Sequence, residues 1–336
     1  MPAPIKPTVS LEVLNQVDVR VGTILAVDDV PDSDKLVQLR VSFGDHERTI
    51  VAGMKTERAN PQEIVGRQAL FVVNLEPRKM RGVVSEGMRN LKLVLAYDGT
   101  EFSGWQVQPD AATIQGTLAS AIGRVTGEKV LPQGSGRTDA GVHAFGQVAN
   151  FLTLSPIPPE NLVVALNDIL PSSIRVLEAA EAPAEFHARK SARAKTYRYR
   201  MYRGAICSPF LARYVWHYPY PLDEDRMQEV APLITGEHDF TSFAAVDPER
   251  GQDADASNLR QIFCSHWERQ RDEFIYTVRG SGFLHHMVRN LVGTFLLVGK
   301  GTLKASDLPR IMEARSRSAA GATAPASGLC LVSVEY

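Results

Sequence analysis

The rhythm of apolar and polar positions changes once along this chain, near residue 90. Before that point apolar residues alternate with polar ones in short runs, at 17–27, 36–43, 48–52 and 69–74, closed by polar or glycine-containing turns. One Pro-led helical segment, 61–65, interrupts them. Short strands at this spacing with a single small helix predict a small all-β barrel. Beyond residue 90, period-two runs are separated by stretches whose apolar residues recur at helical spacing.

That second region reads as strand 91–97, helix 113–125, strand 147–153, helix 159–170 and strand 174–180. In the first helix Ile114, Leu118, Ala121, Ile122 and Val125 share a face, and Thr113 can cap the start. The theme returns as strand 196–202, helix 223–234 between Asp223 and Gly236, strands 260–268 and 273–279, helix 285–298, helix 306–315 and strand 329–334. A strand-helix-strand-strand-helix-strand order is ferredoxin-like, so an internally duplicated α+β protein is expected. The predicted fold is two ferredoxin-like halves sharing a mixed antiparallel sheet, preceded by the barrel. The divisions are a flexible tail over 1–10, a barrel over 11–90, and halves over 91–190 and 191–336. Residues 244–257 read as an acidic, small-residue, mobile loop.

Composition narrows the class without naming a partner. A net charge of −1 over 336 residues means that any nucleic-acid surface is a local patch. Cys207, Cys264 and Cys330 have no paired or metal-ligand spacing and fit a reducing compartment. The apolar run 288–298 is too short to span a bilayer, and the N-terminus lacks a signal-peptide core. A soluble, cytoplasmic protein is expected.

Three stretches could carry chemistry. Residues 136–144 place Asp139 in a glycine-flanked loop, two residues after Arg137 and four before His143. The alternative is an Asp that caps its own turn. Residues 187–203 hold Arg189, Lys190, Arg193, Lys195, Arg198, Arg200 and Arg203 interleaved with Tyr197, Tyr199 and Tyr202, a composition suited to RNA backbone and an unstacked base. On a strand Arg198 and Arg200 point away from Tyr197, so a solvated edge strand is the competing reading for those two. Residues 282–290 put His285, His286 and Arg289 at the start of an apolar helix. Adjacent helical histidines point about 100° apart and no third ligand lies at motif spacing, so no metal site is expected. Arg289 needs an anion, which Asp139 can supply.

The first region resembles the tRNA-binding OB-fold domain appended to methionyl-tRNA synthetases, through residues 17–22, Asp34-Lys35-Leu36, Ile50-Val51-Ala52-Gly53 and 74–88. The resemblance makes Asn74, Lys79, Arg81 and Ser85 candidate tRNA contacts; the alternative is a solvated charged loop. The family's final strand is replaced at Met88 by the next pattern, as in a gene fusion, so an incomplete barrel is expected. Residues 91–336 resemble the tRNA pseudouridine synthase A family, through Tyr97-Asp98-Gly99, Gly104-Trp105-Gln106, 136–143, Phe186-His187-Ala188-Arg189, Tyr197-Arg198-Tyr199, 238–243, 283–290 and Gly328-Leu329. Asn258-Leu259-Arg260-Gln261 departs from the family pattern.

That resemblance implies isomerisation of uridine to pseudouridine at positions 38–40 of the tRNA anticodon stem-loop, in a homodimer, without cofactor or metal. It implies Asp139 as nucleophile, Arg289 as the cation that orients it, and Tyr197 as the ring that stacks on the flipped base. Substrate contacts fall to Arg137, Tyr197, Leu329, His143 and Arg189. The alternative class is a non-catalytic tRNA-binding or chaperone protein.

Overall fold

Alternation before residue 90 becomes a four-stranded antiparallel sheet of β1 (Val19–Asp29), β2 (Val37–Ser42), β3 (Glu47–Ala52) and β4 (Gln68–Val72), in the order β3-β2-β1-β4. The computed structural model describes residues 17–31, 33–55, 58, 60–73, 89–153, 155, 157–245 and 257–336, and the backbone of 78–80 and 83–85. The inward residues Ile24, Val27, Val37, Leu39, Val41 and Ile64 form the core of this first unit. The β1–β2 register shifts between Ile24 and Ala26, a bulge that bends the strand as a curling sheet requires. The 61–65 segment is a 3₁₀ turn, Pro61–Ile64, with Asn60 accepting from the Gln62 amide at 3.2 Å. β5 (Arg78–Met80) and β6 (Val83–Ser85) form an antiparallel pair in which Lys79 faces Val84 and Ser85 faces Arg78. Asn74 and Arg81 lie outside the described residues, as do the 1–10 tail and most of the 244–257 loop.

The second unit is a mixed sheet with helices. Its elements are β7 (Arg89–Tyr97), α1 (Ile114–Thr126), β8 (Gln133–Gly134), β9 (His143–Thr153), α2 (Pro159–Ile169), β10 (Ile174–Ala182), β11 (Ala194–Tyr202), the one-turn α3 (Pro209–Ala212), β12 (Trp216–His217), α4 (Glu224–Val230), β13 (Gly236–Asp239), β14 (Leu259–Gln270), β15 (Glu273–Gly280), α5 (Met287–Gly299), α6 (Leu308–Glu313) and β16 (Leu329–Glu335). The sheet order is β10-β7-β9-β16-β11-β15-β14-β13, with β8 on β9 and β12 on β11. The segments β10-β7-β9-β8 and β16-β11-β15-β14 thus repeat one order. They join where β16 runs parallel to β9, with Cys330 opposite His143. Thr113 caps α1 by accepting from the Gly116 amide at 3.2 Å, as its sequence predicts.

Several elements differ from their expected form. β8 and β13 are too short for a periodic signal and were not anticipated. The 223–234 helix ends at Val230 and finishes as a 3₁₀ turn, and the 306–315 helix is a 3₁₀ turn followed by α6. Pro232 and Pro309 explain both, since proline lacks the amide that a continuous helix needs. β11 is an interior strand between β16 and β15, which overturns the edge-strand reading of Arg198 and Arg200. Arg200 instead pairs with Glu273 through two bonds of 2.6 and 2.7 Å. No helix among the described residues is long and apolar enough to cross a membrane.

Candidate active site

The loop between β8 and β9 is held from beneath by its backbone. Trp105 donates its amide to the Thr138 carbonyl at 2.9 Å, and the Tyr97 hydroxyl shares a 2.8 Å hydrogen bond with Thr138 Oγ1. Gln147 Nε2 donates to the Gly136 carbonyl at 2.9 Å, and Lys195 Nζ to the Ser135 carbonyl at 2.5 Å. Gly104 sits at φ +86° with its Cα against the loop, where a Cβ would lie 2.6 Å from the Thr138 carbonyl oxygen. Only glycine suits both that conformation and that approach. The loop is therefore fixed, and Asp139 projects from a rigid platform.

Asp139 meets three groups of the 285–289 segment. Arg289 Nη1 donates to Oδ2 at 2.7 Å, and its Nε to the Ala324 carbonyl at 2.8 Å, so the guanidinium is clamped between two acceptors. His286 Nε2 lies 3.4 Å from Oδ2 and His285 Nε2 3.8 Å from Oδ1. The helix does not start at His285. His286 takes a left-handed φ of +60° and α5 begins at Met287. Helical spacing therefore does not separate the two rings, whose centroids are 4.0 Å apart. Burial pushes the His286 pKa below its ordinary value, against the raising effect of Asp139.

The donor atoms of Asp139, His285 and His286 all lie within 4.8 Å of one another, a spacing a metal ion could bridge. Asp139 comes from a loop far away in sequence, so spacing along the chain could not show it beside the histidines. Arg289 already occupies Oδ2, so a cation there would compete with a guanidinium, and Oδ1 is the oxygen left to it.

These groups open onto a cavity of about 600 Å³. Tyr197 and Leu329 form part of its wall; both side chains are buried, and Phe283 meets the Tyr197 ring edge-on at 5.1 Å. Burial raises the Tyr197 pKa, with the charges of Tyr97 and Asp139 adding to it, so the phenol stays protonated at neutral pH. Arg137 lines the same cavity, and Arg189 stands exposed at its rim. The arrangement offers one oriented carboxylate, a phenol, a flat apolar wall and a cationic margin.

Residues 93–189 and 230–336 match the family model described as tRNA pseudouridine synthase. The chain belongs to this family. As a member of the tRNA pseudouridine synthase family, it is 54% identical over 250 residues to a protein named tRNA pseudouridine synthase A from Solibacter usitatus, covering 74% of this chain and 100% of that one. It is 48% identical to the protein of the same name from Moorella thermoacetica, covering 73% and 99%. Residues 19–116 match a tRNA binding domain model, which overlaps the first strand and helix of the synthase match. A MetRS-related protein from Pyrococcus horikoshii is 33% identical with a TM-score of 0.22, covering 24% of this chain and 72% of that one.

Of the synthase residues expected from sequence, Asp139, Arg289, Tyr197, Arg137, Arg189 and Leu329 come together around the cavity or on the groups that face it. His143 does not line it. That side chain is buried beneath the loop, where Nδ1 accepts from the Gly99 amide at 3.1 Å and lies 3.2 Å from Asp98 Oδ1. Its expected substrate contact is replaced by support of the loop. Sequence reasoning missed Lys195, which lines the cavity on β11. It was read as one cation in a run of seven, ahead of a strand expected to start at 196; β11 starts at Ala194, which places Lys195 on the strand two residues before Tyr197.

Proposed function

We infer that this protein isomerises uridine to pseudouridine in tRNA, at positions 38–40 of the anticodon arm, with Asp139 as the nucleophile. The observation that carries the reading is the charge-assisted bond from Arg289 to Asp139, which aims a carboxylate into a cavity large enough for a nucleotide. A uridine reaches such a site only after leaving its stack. Arg137 then occupies the space that the base has left, and Tyr197 and Leu329 pack on its face. The N1–C1′ bond breaks with its electron pair on the base, by attack of Asp139 at C1′ or with its assistance. The base turns, C5 bonds to C1′, C5 loses its proton and N1 gains one. No cofactor enters the balance. The Tyr197 phenol, held protonated, stacks on the base and donates a hydrogen bond, and does not act as the base at C5.

The mixed sheet supports two ferredoxin-like halves, because its two segments share the order expected of that fold. The first unit then acts as a tRNA-capturing OB domain, with Lys79 and Ser85 on the β5–β6 pair among its RNA contacts and Asn74 and Arg81 beside them in sequence. Homodimerisation through the synthase halves and a cytoplasmic location follow from the family resemblance. Mapping pseudouridine by mass spectrometry in tRNA incubated with the protein and with Asp139→Ala tests the whole reading. Pseudouridine is expected in the anticodon arm with the wild type alone; its formation by the variant would falsify Asp139 as the nucleophile.

A further inference from the structure

Lys195 is a cavity cation that stands deeper than Arg189 and Lys190 and that the reading above leaves unused. It stands on β11, opposite Gly280 of β15 and Val334 of β16. The register with β16 skips Val332 opposite Thr196 and Tyr197, so the bulge lies in β16; β11 stays in register with β15, and its alternation puts Lys195 and Tyr197 on one face. Lys195 and Tyr197 both line the cavity, and the ammonium lies so close to Gly136 that a Cβ there would come within 2.8 Å of Nζ. Among the described residues its one hydrogen bond is to the Ser135 carbonyl. Among the described residues it has no carboxylate partner. Asp139 faces the same cavity but is bound by Arg289. The other charged or titratable groups of the cavity wall are Arg137, His187, Arg189, Lys190, Tyr197, His285 and His286, with Arg260 of β14 beside the ammonium.

A partly buried ammonium with spare donors and no counter-ion is unfavourable unless the ligand supplies the charge. Burial, with Arg189 and Arg260 beside it, lowers the Lys195 pKa to about 8. Arg189 and Lys190 are exposed and suited to a phosphate that stays in solvent on the polynucleotide, whereas Lys195 stands deeper, beside the ring that packs on the base.

We propose that Lys195 is a further catalytic residue, whose ammonium donates to a carbonyl oxygen of the flipped uracil and stabilises the anion formed when N1 leaves C1′. The inference rests on the synthase reading. In the balanced step the N1–C1′ pair departs with the base, its negative charge spreads onto the carbonyl oxygens, and Lys195 keeps all its protons while C5 closes on C1′. A donor placed where charge develops is worth about 10²- to 10³-fold in rate.

The test is tritium release from tRNA carrying 5-tritiated uridine, measured across pH for the full-length wild type, Lys195→Met and Lys195→Arg. For K195M a fall in kcat of about 10²-fold is expected, with KM for tRNA changed by less than about threefold. In the wild type kcat/KM declines as pH rises through about 8, where Lys195 loses its charge. In K195R that decline moves to higher pH, because a guanidinium stays charged. A structural role would not move it. Unchanged kcat in K195M, or a loss confined to KM, overturns the role of Lys195 and leaves the synthase reading standing. If K195M does not fold, a K195R profile identical to wild type overturns it as well. A wild type that releases no tritium sinks the synthase reading and this proposal together.

Discussion

Arg289 and Asp139, 150 residues apart in sequence, are joined by a 2.7 Å bond between guanidinium and carboxylate, both side chains largely withdrawn from solvent. The pair links the loop after β8 to the start of α5. Because the Arg289 Nε also holds the Ala324 carbonyl, the cation cannot swing away without losing two acceptors.

Replacing Arg289 by Met should lower kcat by about 10²- to 10³-fold, by removing the group that orients and balances the nucleophile. Arg289→Lys keeps the charge but not the fork that reaches both acceptors, so an intermediate loss is expected. Single-turnover kinetics on tRNA measure both, and a wild-type rate in R289M excludes this role for the pair.

The Asp139 loop depends on a glycine outside it. Gly104→Ala forces a side chain into a left-handed position against the Thr138 carbonyl. The expected cost is about 1–3 kcal/mol, with a fall in kcat as Asp139 shifts from its partner. Denaturant unfolding and kinetics on the same preparation check it; full activity in G104A shows that the loop is not set by this contact.

Much of this was legible in the sequence, and the remainder failed for identifiable reasons. Asp139, Tyr197 and Leu329 stood in specific local motifs, and Arg289 was assigned its anion from the cost of burying a lone cation. The histidines were misjudged because a helical spacing was applied to residues that precede the helix, and no periodicity reports a left-handed His286. Arg198 and Arg200 suggested an edge because strand position in a sheet depends on long-range pairing, which alternation does not encode. His143 looked like a ligand contact because the motif fixes its residue type, while its burial follows from packing on the Asp98–Gly99 turn.

That packing gives the protein an acid-sensitive support. Burial lowers the His143 pKa below its ordinary value of 6.5, with Asp98 opposing the shift. The unfolded chain therefore takes up the proton first. The contribution is fully present above pH 6.5 and is lost as pH falls through the lower, folded-state value. The slope from one such group is at most about 1.4 kcal/mol per pH unit. Calorimetric melting from pH 8 to 5 should show it, and His143→Asn should flatten that part of the curve. An equally steep curve in H143N places the sensitivity elsewhere.

The cluster of Asp139, His285 and His286 predicts inhibition, not activation, by zinc. Zinc takes nitrogen and oxygen ligands at about 2.0–2.2 Å, and on Asp139 it would tie up the carboxylate that the reaction needs free, through Oδ1 or in competition with Arg289 at Oδ2. Added zinc should slow pseudouridine formation, EDTA should restore it, and EDTA alone should change nothing. Loss of activity on chelation, recovered with zinc, would show that the cluster holds a working metal.

The first unit can be tested by removal, because the synthase family match begins at residue 93, beyond it. Deleting residues 1–88 should leave kcat on tRNA near the full-length value, since every cavity residue lies beyond them. Affinity should fall at least about tenfold, because the tethered domain raises the local concentration of tRNA at the cavity. The dependence of log affinity on log salt should become shallower by about 0.7–0.9 for each phosphate contact removed, the lower value for single strands. These two effects separate capture from chemistry. A deletion that leaves affinity and salt slope unchanged means that the first unit takes no part in binding tRNA, whatever its family match. One that lowers kcat at saturating tRNA means that the domain orients the anticodon arm as well as capturing it.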